Sequence, residues 1–120
     1  MKQNSLDKAF RYAFAGIGHF LFNDRNGHIH ILIAMLVTTA GWFFGISLQE
    51  WCIVLLCIGL VISLEMANHA LEKLCDAVHE SPHPLIKIAK DVAAGAVLWS
   101  ALISVVIGLL IFLPKIFSYI

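Results

Sequence analysis

Residues 65–76 read Glu65-Met66-Ala67-Asn68-His69-Ala70-Leu71-Glu72-Lys73-Leu74-Cys75-Asp76, and they continue without a break the apolar run from Trp51 to Leu64. At about 100° per residue, the helical repeat places Glu65, Asn68, Glu72 and Asp76 within an arc of roughly 80°. One helix face therefore presents three carboxylates and an amide. A carboxylate at hydrocarbon depth costs at least a few kcal/mol and marks a functional site. Glu65, flanked by Leu64 and Met66, is the residue to which this applies most directly. Such a stripe at a membrane edge suits holding a cation or moving a proton. Glu72 and Asp76 also fit a plainer role, solvating the end of a helix that has left the bilayer.

The rest of the composition agrees with a membrane setting. The 120 residues are 60% hydrophobic and 13% charged, with a mean hydropathy of +0.86. Three apolar stretches are expected to span as helices, over residues 29–48, 51–71 and 92–113. The third carries no charge and exceeds the ~20 residues a span requires. The second reaches that length only by including Glu65. The first begins too far from the N-terminus, and lacks a small-residue cleavage site, to be a signal peptide.

Orientation follows from the basic residues. Lys2, Lys8, Arg11 and Arg25 precede the first span, Lys73, Lys87 and Lys90 lie between the second and third, and residues 45–50 have none. The positive-inside rule puts the N-terminus and the 72–91 loop in the cytoplasm, with Lys115 alone outside. Formal net charge is zero, so no basic field argues for nucleic acid. Cys52, Cys57 and Cys75 have no framework spacing, and no disulfide is indicated.

Ahead of the spans, Leu6, Ala9, Phe10, Ala13, Phe14, Ile17 and Leu21 recur at helical spacing. Residues 5–22 are expected to form an amphipathic helix in the membrane interface, with Ser5 as its cap. Gly16-Ile17-Gly18 lacks the third glycine and the preceding strand of a phosphate-binding loop. A polar knot, Asn23-Asp24-Arg25-Asn26-Gly27-His28-Ile29-His30, follows, and its Asn-Gly pair suggests a turn or helix break. Asp24 also fits a helix-terminal residue paired with Arg25. His19, His28 and His30, or His79, His83 and Cys75, can be drawn as metal sets, but Pro82 and Pro84 break the helix that would align the second. Ordinary interfacial hydrogen bonding is preferred for these histidines. Ser81-Pro82-His83-Pro84 is the expected turn of the one substantial loop. Ala93-Ala94-Gly95-Ala96 is a small-residue patch suited to close helix packing.

Glu65, Asn68, Ala70, Glu72 and Asp76 resemble the E-x-x-N-[ST]-A-[IL]-E-x-x-x-D signature of the small prokaryotic lipid kinases, the diacylglycerol kinase and undecaprenol kinase family. His83-Pro84-Leu85 and Lys90-Asp91-Val92-Ala93-Ala94-Gly95-Ala96-Val97 are similar to that family's second block, at the expected distance. The block from Lys87 to Ala96 looks closer to the undecaprenol branch. The resemblance implies an all-α membrane protein of three transmembrane helices plus the N-terminal interfacial helix, in a bacterial inner membrane and acting in lipid metabolism. It implies Glu65 as general base, Asp24 and Glu72 as ligands of Mg²⁺, and Asn68 as a residue orienting phosphates or metal. Lys90 and Asp91 match residues that contact the nucleotide, Asp76 and His83 match the signature, and Tyr12 stands where an aromatic faces adenine. ATP as co-substrate, a membrane lipid alcohol as acceptor and a homotrimer with shared sites are implied likewise.

Two positions depart from the pattern. Asp24 replaces a glutamate and shortens its reach by one methylene, and His69 replaces the small Ser or Thr. His69 suits donation to a phosphate, altered acceptor choice or lost activity. With neither Walker A nor protein-kinase motifs present, a kinase here must rely on the acidic helix. The alternative class is a non-catalytic membrane protein, either an ion-path or transport subunit using the stripe or an inactive relative.

Overall fold

The computed structural model describes residues 2–78 and 82–120, with side chains from residue 5 onward. Four helices follow in order: α1 (Lys2–Asn23), α2 (Arg25–Phe44), α3 (Leu48–Val78) and α4 (Pro84–Tyr119). α2, α3 and α4 are each long and apolar enough to cross a membrane. The chain is an all-α membrane protein with a preceding N-terminal helix.

Local chemistry sets the helix ends. α2 stops at Gly45, whose φ of 63° and ψ of 51° are left-handed and favour glycine. Its N–H and that of Ile46 turn back to the carbonyls of Trp42 and Gly41 at 3.3 and 3.1 Å. The apolar run to Leu48 is thus not all one helix. α3 opens with a reciprocal box, in which the Ser47 N–H donates to Glu50 Oε1 at 2.9 Å and the Glu50 N–H donates to Ser47 Oγ at 3.1 Å. α4 begins at Pro84, where a missing N–H is harmless, and His83 Nδ1 accepts from the Leu85 N–H at 3.2 Å.

Three local expectations change. Most of the 72–91 segment is not loop, because α3 runs to Val78 and α4 starts at Pro84. Lys87, Lys90 and Asp91 therefore ride on the first turns of a helix. His79, and Ser81 of the expected turn, lie outside the described residues. Ser5 sits inside α1 rather than capping it, and the break in the polar knot falls at Asp24, with Gly27 within α2.

Gly27 has another task. A Cβ there would meet the Phe20 ring at 2.5–3.0 Å, and Phe20 is itself buried. The missing side chain lets α1 fold back onto α2. Gly27→Val is expected to lower the thermal midpoint by overpacking this corner, by roughly 1–3 kcal/mol, which a melt in detergent will read. Gly41 is used in the same way against Trp51 and Ile46. At Gly95, by contrast, a Cβ would meet nothing within 4 Å, so the small-residue patch makes no close helix contact there.

α3 is the central element, packed against both α2 and α4. Its buried residues are Val54, Val61, Glu65, Asn68 and Cys75. On a helix these five fall within roughly 80° of arc. Glu65 and Asn68 therefore continue the packed seam, while Glu72 and Asp76, further along the same face, are exposed. Little else is covered: Leu6, Phe10, Phe14, Leu32, Leu36, Leu56 and Leu110 are all exposed. Of α1, only its C-terminal end at Phe20 is buried among the described side chains, and the apolar face ahead of it is bare. This is the form of a helix that lies on a bilayer.

Candidate active site

Asp24, at the junction of α1 and α2, is brought against the middle of α3. Its backbone is extended (φ −98°, ψ 110°), as at a helix N-cap, yet its side chain makes no capping hydrogen bond. The carboxylate turns instead toward α3, where His69 Nδ1 lies 3.9 Å from Asp24 Oδ1. Asp24 and Glu72 are the charged neighbours of Glu65. On the other side of Glu65, His30 Nε2 of α2 stands 3.8 Å from its Oε2. Asn68 Nδ2 donates to Glu72 Oε1 at 3.2 Å across one helical turn.

Burial separates these groups. Glu65 is 3% exposed, Asn68 5% and Asp24 9%, whereas Glu72 is on the surface. Asp24 Oδ2 and Asn68 Oδ1 are buried without a hydrogen-bond partner. Orphaned acceptors facing gathered carboxylates are unfavourable unless a cation or proton joins them.

That donor set fits Mg²⁺, a hard ion bound by one or two carboxylates together with phosphate oxygens and water. Among the described residues no group of three or more His, Cys, Asp or Glu side chains is arranged to hold a metal alone. Asp24 and Glu72 are the residues that would hold the ion, with the remaining positions left to phosphates and solvent.

One turn beyond Glu72, Lys90 Nζ donates to Asp76 Oδ1 at 2.8 Å, joining α4 to α3. Both groups lie on the polar ends of their helices. The hydrogen bond and the charge of Lys90 hold the Asp76 carboxyl below the usual carboxylate range, and Asp76 raises the Lys90 ammonium in return. Glu72 also acts on Lys90, so this cation borders the cluster. Because the Asp76 value is depressed, the pair is intact at neutral pH and is lost as pH falls through that lowered value.

The expected site residues thus divide. Asp24, Glu65, Asn68 and Glu72 form one cluster, with Asp76 and Lys90 at its border. Asp91 is engaged with Lys87 at 2.6 Å on exposed α4 surface. His83 caps α4, and Tyr12 is 69% exposed on α1.

His30 beside Glu65, and Asp24 as the neighbour of His69, are contacts that sequence reasoning did not place. Each histidine meets its carboxylate across two helices, so no spacing within one helix could reveal the contact. The three N-terminal histidines diverge. His28 Nε2 hydrogen-bonds the Leu21 carbonyl, His19 faces the His69 ring with centroids 5.5 Å apart, and His30 faces Glu65.

The chain is similar to known proteins over most of its length. The profile of the prokaryotic diacylglycerol kinase family matches residues 11–112. The chain is 45% identical over 112 residues to an undecaprenol kinase of Bacillus subtilis, covering 93% of this chain and 91% of that one. It is 40% identical over 111 residues to a diacylglycerol kinase of Synechocystis, covering 92% of this chain and 63% of that longer protein. The family match runs from α1 through α4 and takes in Asp24, Glu65, Asn68 and Glu72, and on that evidence the chain belongs to the prokaryotic diacylglycerol kinase family.

Proposed function

We propose that this lipid kinase transfers the γ-phosphate of Mg·ATP directly to the hydroxyl of a membrane lipid alcohol, undecaprenol in preference to diacylglycerol, with Glu65 as general base. The observation that carries this reading is the position of Glu65. It is buried in the helix seam where the apolar stripe of Val54 and Val61 gives way to Asn68, beside the carboxylates of Asp24 and Glu72. An apolar cavity lined by His30, Val37, Val54, Val61, Ala101 and Phe112 runs between α2, α3 and α4. His30, one of its lining residues, stands 3.8 Å from Glu65. This supports a hydrocarbon chain approaching from the bilayer with its hydroxyl end at the carboxylate. The 45% identity to an undecaprenol kinase supports the preferred acceptor.

In this mechanism Glu65 takes the hydroxyl proton as the alcohol oxygen bonds to the γ-phosphorus and the bond to the bridging oxygen breaks, releasing ADP. Most of the rate then comes from positioning and electrostatics. Bound Mg²⁺ supplies charge neutralisation to the phosphates. Asp24 and Glu72 would hold the ion, and Asn68 orients Glu72. Lys90 offers its ammonium to the nucleotide phosphates at the cluster's edge, while Asp76 positions it. Tyr12, His83 and Asp91 stand in the nucleotide's surroundings. The enzyme sits in the bacterial inner membrane with its N-terminus and the 72–91 region in the cytoplasm. It works as a homotrimer with shared sites, supported by the bare apolar faces of α1, α2 and α4.

The test is label transfer from [γ-³²P]ATP with undecaprenol and diacylglycerol offered separately to purified protein. Label in undecaprenol, at a higher kcat/KM than in diacylglycerol, is the expected result. Label in neither lipid defeats the reading. Lys90→Ala is expected to raise the KM for ATP by about tenfold, the loss of one charge-assisted contact. Because the Asp76 pair is exposed, the thermal midpoint should hardly move.

A further inference from the structure

The two positions at which this chain departs from the family signature, Asp24 for Glu and His69 for Ser or Thr, lie on different helices and meet. His69 Nδ1 is 3.9 Å from Asp24 Oδ1. Aspartate at an N-cap ordinarily bonds its own helix N-terminus, yet Asp24 leaves that bond unmade. Its Oδ2 is buried and unpartnered, while Oδ1 faces the imidazole. The imidazole is held in turn. His19 lies against it with ring centroids 5.5 Å apart, and Phe20 approaches edge-on at 6.1 Å. Its Nε2 is buried without a partner, so Nδ1 is the nitrogen that faces a polar group across the helices.

We propose that His69 is a positioning residue for Asp24: the ring fills the space left by the shorter carboxylate and steadies Oδ1, leaving Oδ2 free for a divalent cation. A Ser or Thr hydroxyl at position 69 is too short to occupy the place of the ring between His19, Phe20 and Asp24. The two departures are then one coupled change rather than two separate losses. Residues that orient metal-binding carboxylates commonly alter metal affinity when replaced. The proposal rests on the reading of Asp24 as a cation ligand, and its test keeps the two apart.

The measurement is Mn²⁺ affinity by electron paramagnetic resonance, on full-length protein in detergent with a non-hydrolysable ATP analogue, alongside the metal-free thermal midpoint. H69T is expected to weaken Mn²⁺ binding by about tenfold to a hundredfold. The double variant D24E/H69T should recover to within about threefold of the parent, as a coupled pair requires. D24E alone should bind no better than the parent, because the longer carboxylate meets the ring. H69N, which keeps an amide near the Nδ1 position, should retain binding, and H69Q, which extends its amide toward Nε2, should not. That contrast still decides the matter if H69T fails to fold. Parent-like Mn²⁺ affinity in both H69T and H69Q, with loss in D24N, would overturn the role of His69 and leave the metal set standing. Unchanged affinity in D24N would remove Asp24 from the metal set and the proposal with it.

Discussion

Glu65→Gln is expected to lower kcat by about 10²–10⁴-fold, the contribution of a positioned general base, while nucleotide binding survives. Glutamine keeps the shape of the side chain in the seam beside Asn68 and removes only the group that accepts a proton. The loss should therefore appear in kcat, with the KM for ATP and the folded state little changed. An ion-path protein would respond differently, changing conductance with no dependence on ATP. Phosphotransfer at the parent rate in this variant would remove Glu65 from the chemistry.

The second large effect is expected at Glu72. Its Oε1 accepts from Asn68 Nδ2 at 3.2 Å, so one oxygen of an otherwise exposed carboxylate is held beside the buried end of the face. Glu72→Gln is expected to raise the Mg²⁺ concentration needed for half-maximal activity and to lower kcat/KM by roughly 10³-fold, the scale of the charge stabilisation that a bound cation supplies. Asp76→Asn, one turn away on the same face but paired with Lys90, should cost far less and act through the KM for ATP. A magnesium titration of the two variants side by side distinguishes a cation ligand from a residue that positions a lysine. Equal responses in both would argue against Glu72 as a ligand.

Much of the fold was legible because it depends on local rules. The charge-free run from Val92 to Leu113 marks a helix body and Pro84 a turn on their own, whereas the first span, read as 29–48, passes over the stop at Gly45. The acidic face was legible for the same reason, since Glu65, Asn68 and Glu72 belong to one helix and their spacing is set by its repeat. What the sequence concealed involves two helices at once. That Glu65 and Asn68 lie on the same stripe as Val54 and Val61 depends on where α2 and α4 pack, and apolar content all round α3 hides which stripe is buried. The partner of His30 is set by the packing of α2 on α3, and that of His69 by the corner at Asp24. That corner needs the close approach of Phe20 to Gly27, and Gly27 read in isolation suggested a turn rather than a packing surface. The 72–91 segment misled for a related reason. Its charges resemble a solvated loop, but Lys73 and Asp76 decorate the end of α3 and Lys87 and Lys90 the start of α4, where Lys90 closes on Asp76 at 2.8 Å.

The arrangement also explains how so small a chain can assemble polar chemistry at a membrane. Glu65 is covered by neighbours from its own chain, whereas Glu72 and Tyr12 are exposed and Lys90 is half-buried.

The most direct test is a single-turnover reaction of the purified protein with [γ-³²P]ATP, Mg²⁺ and undecaprenol, following lipid, nucleotide and protein together. Direct transfer from Mg·ATP predicts one labelled lipid for each ADP released, no label on the protein at any time, and loss of the reaction on chelation of Mg²⁺. ADP release without labelled lipid, or label passing through the protein, would contradict it.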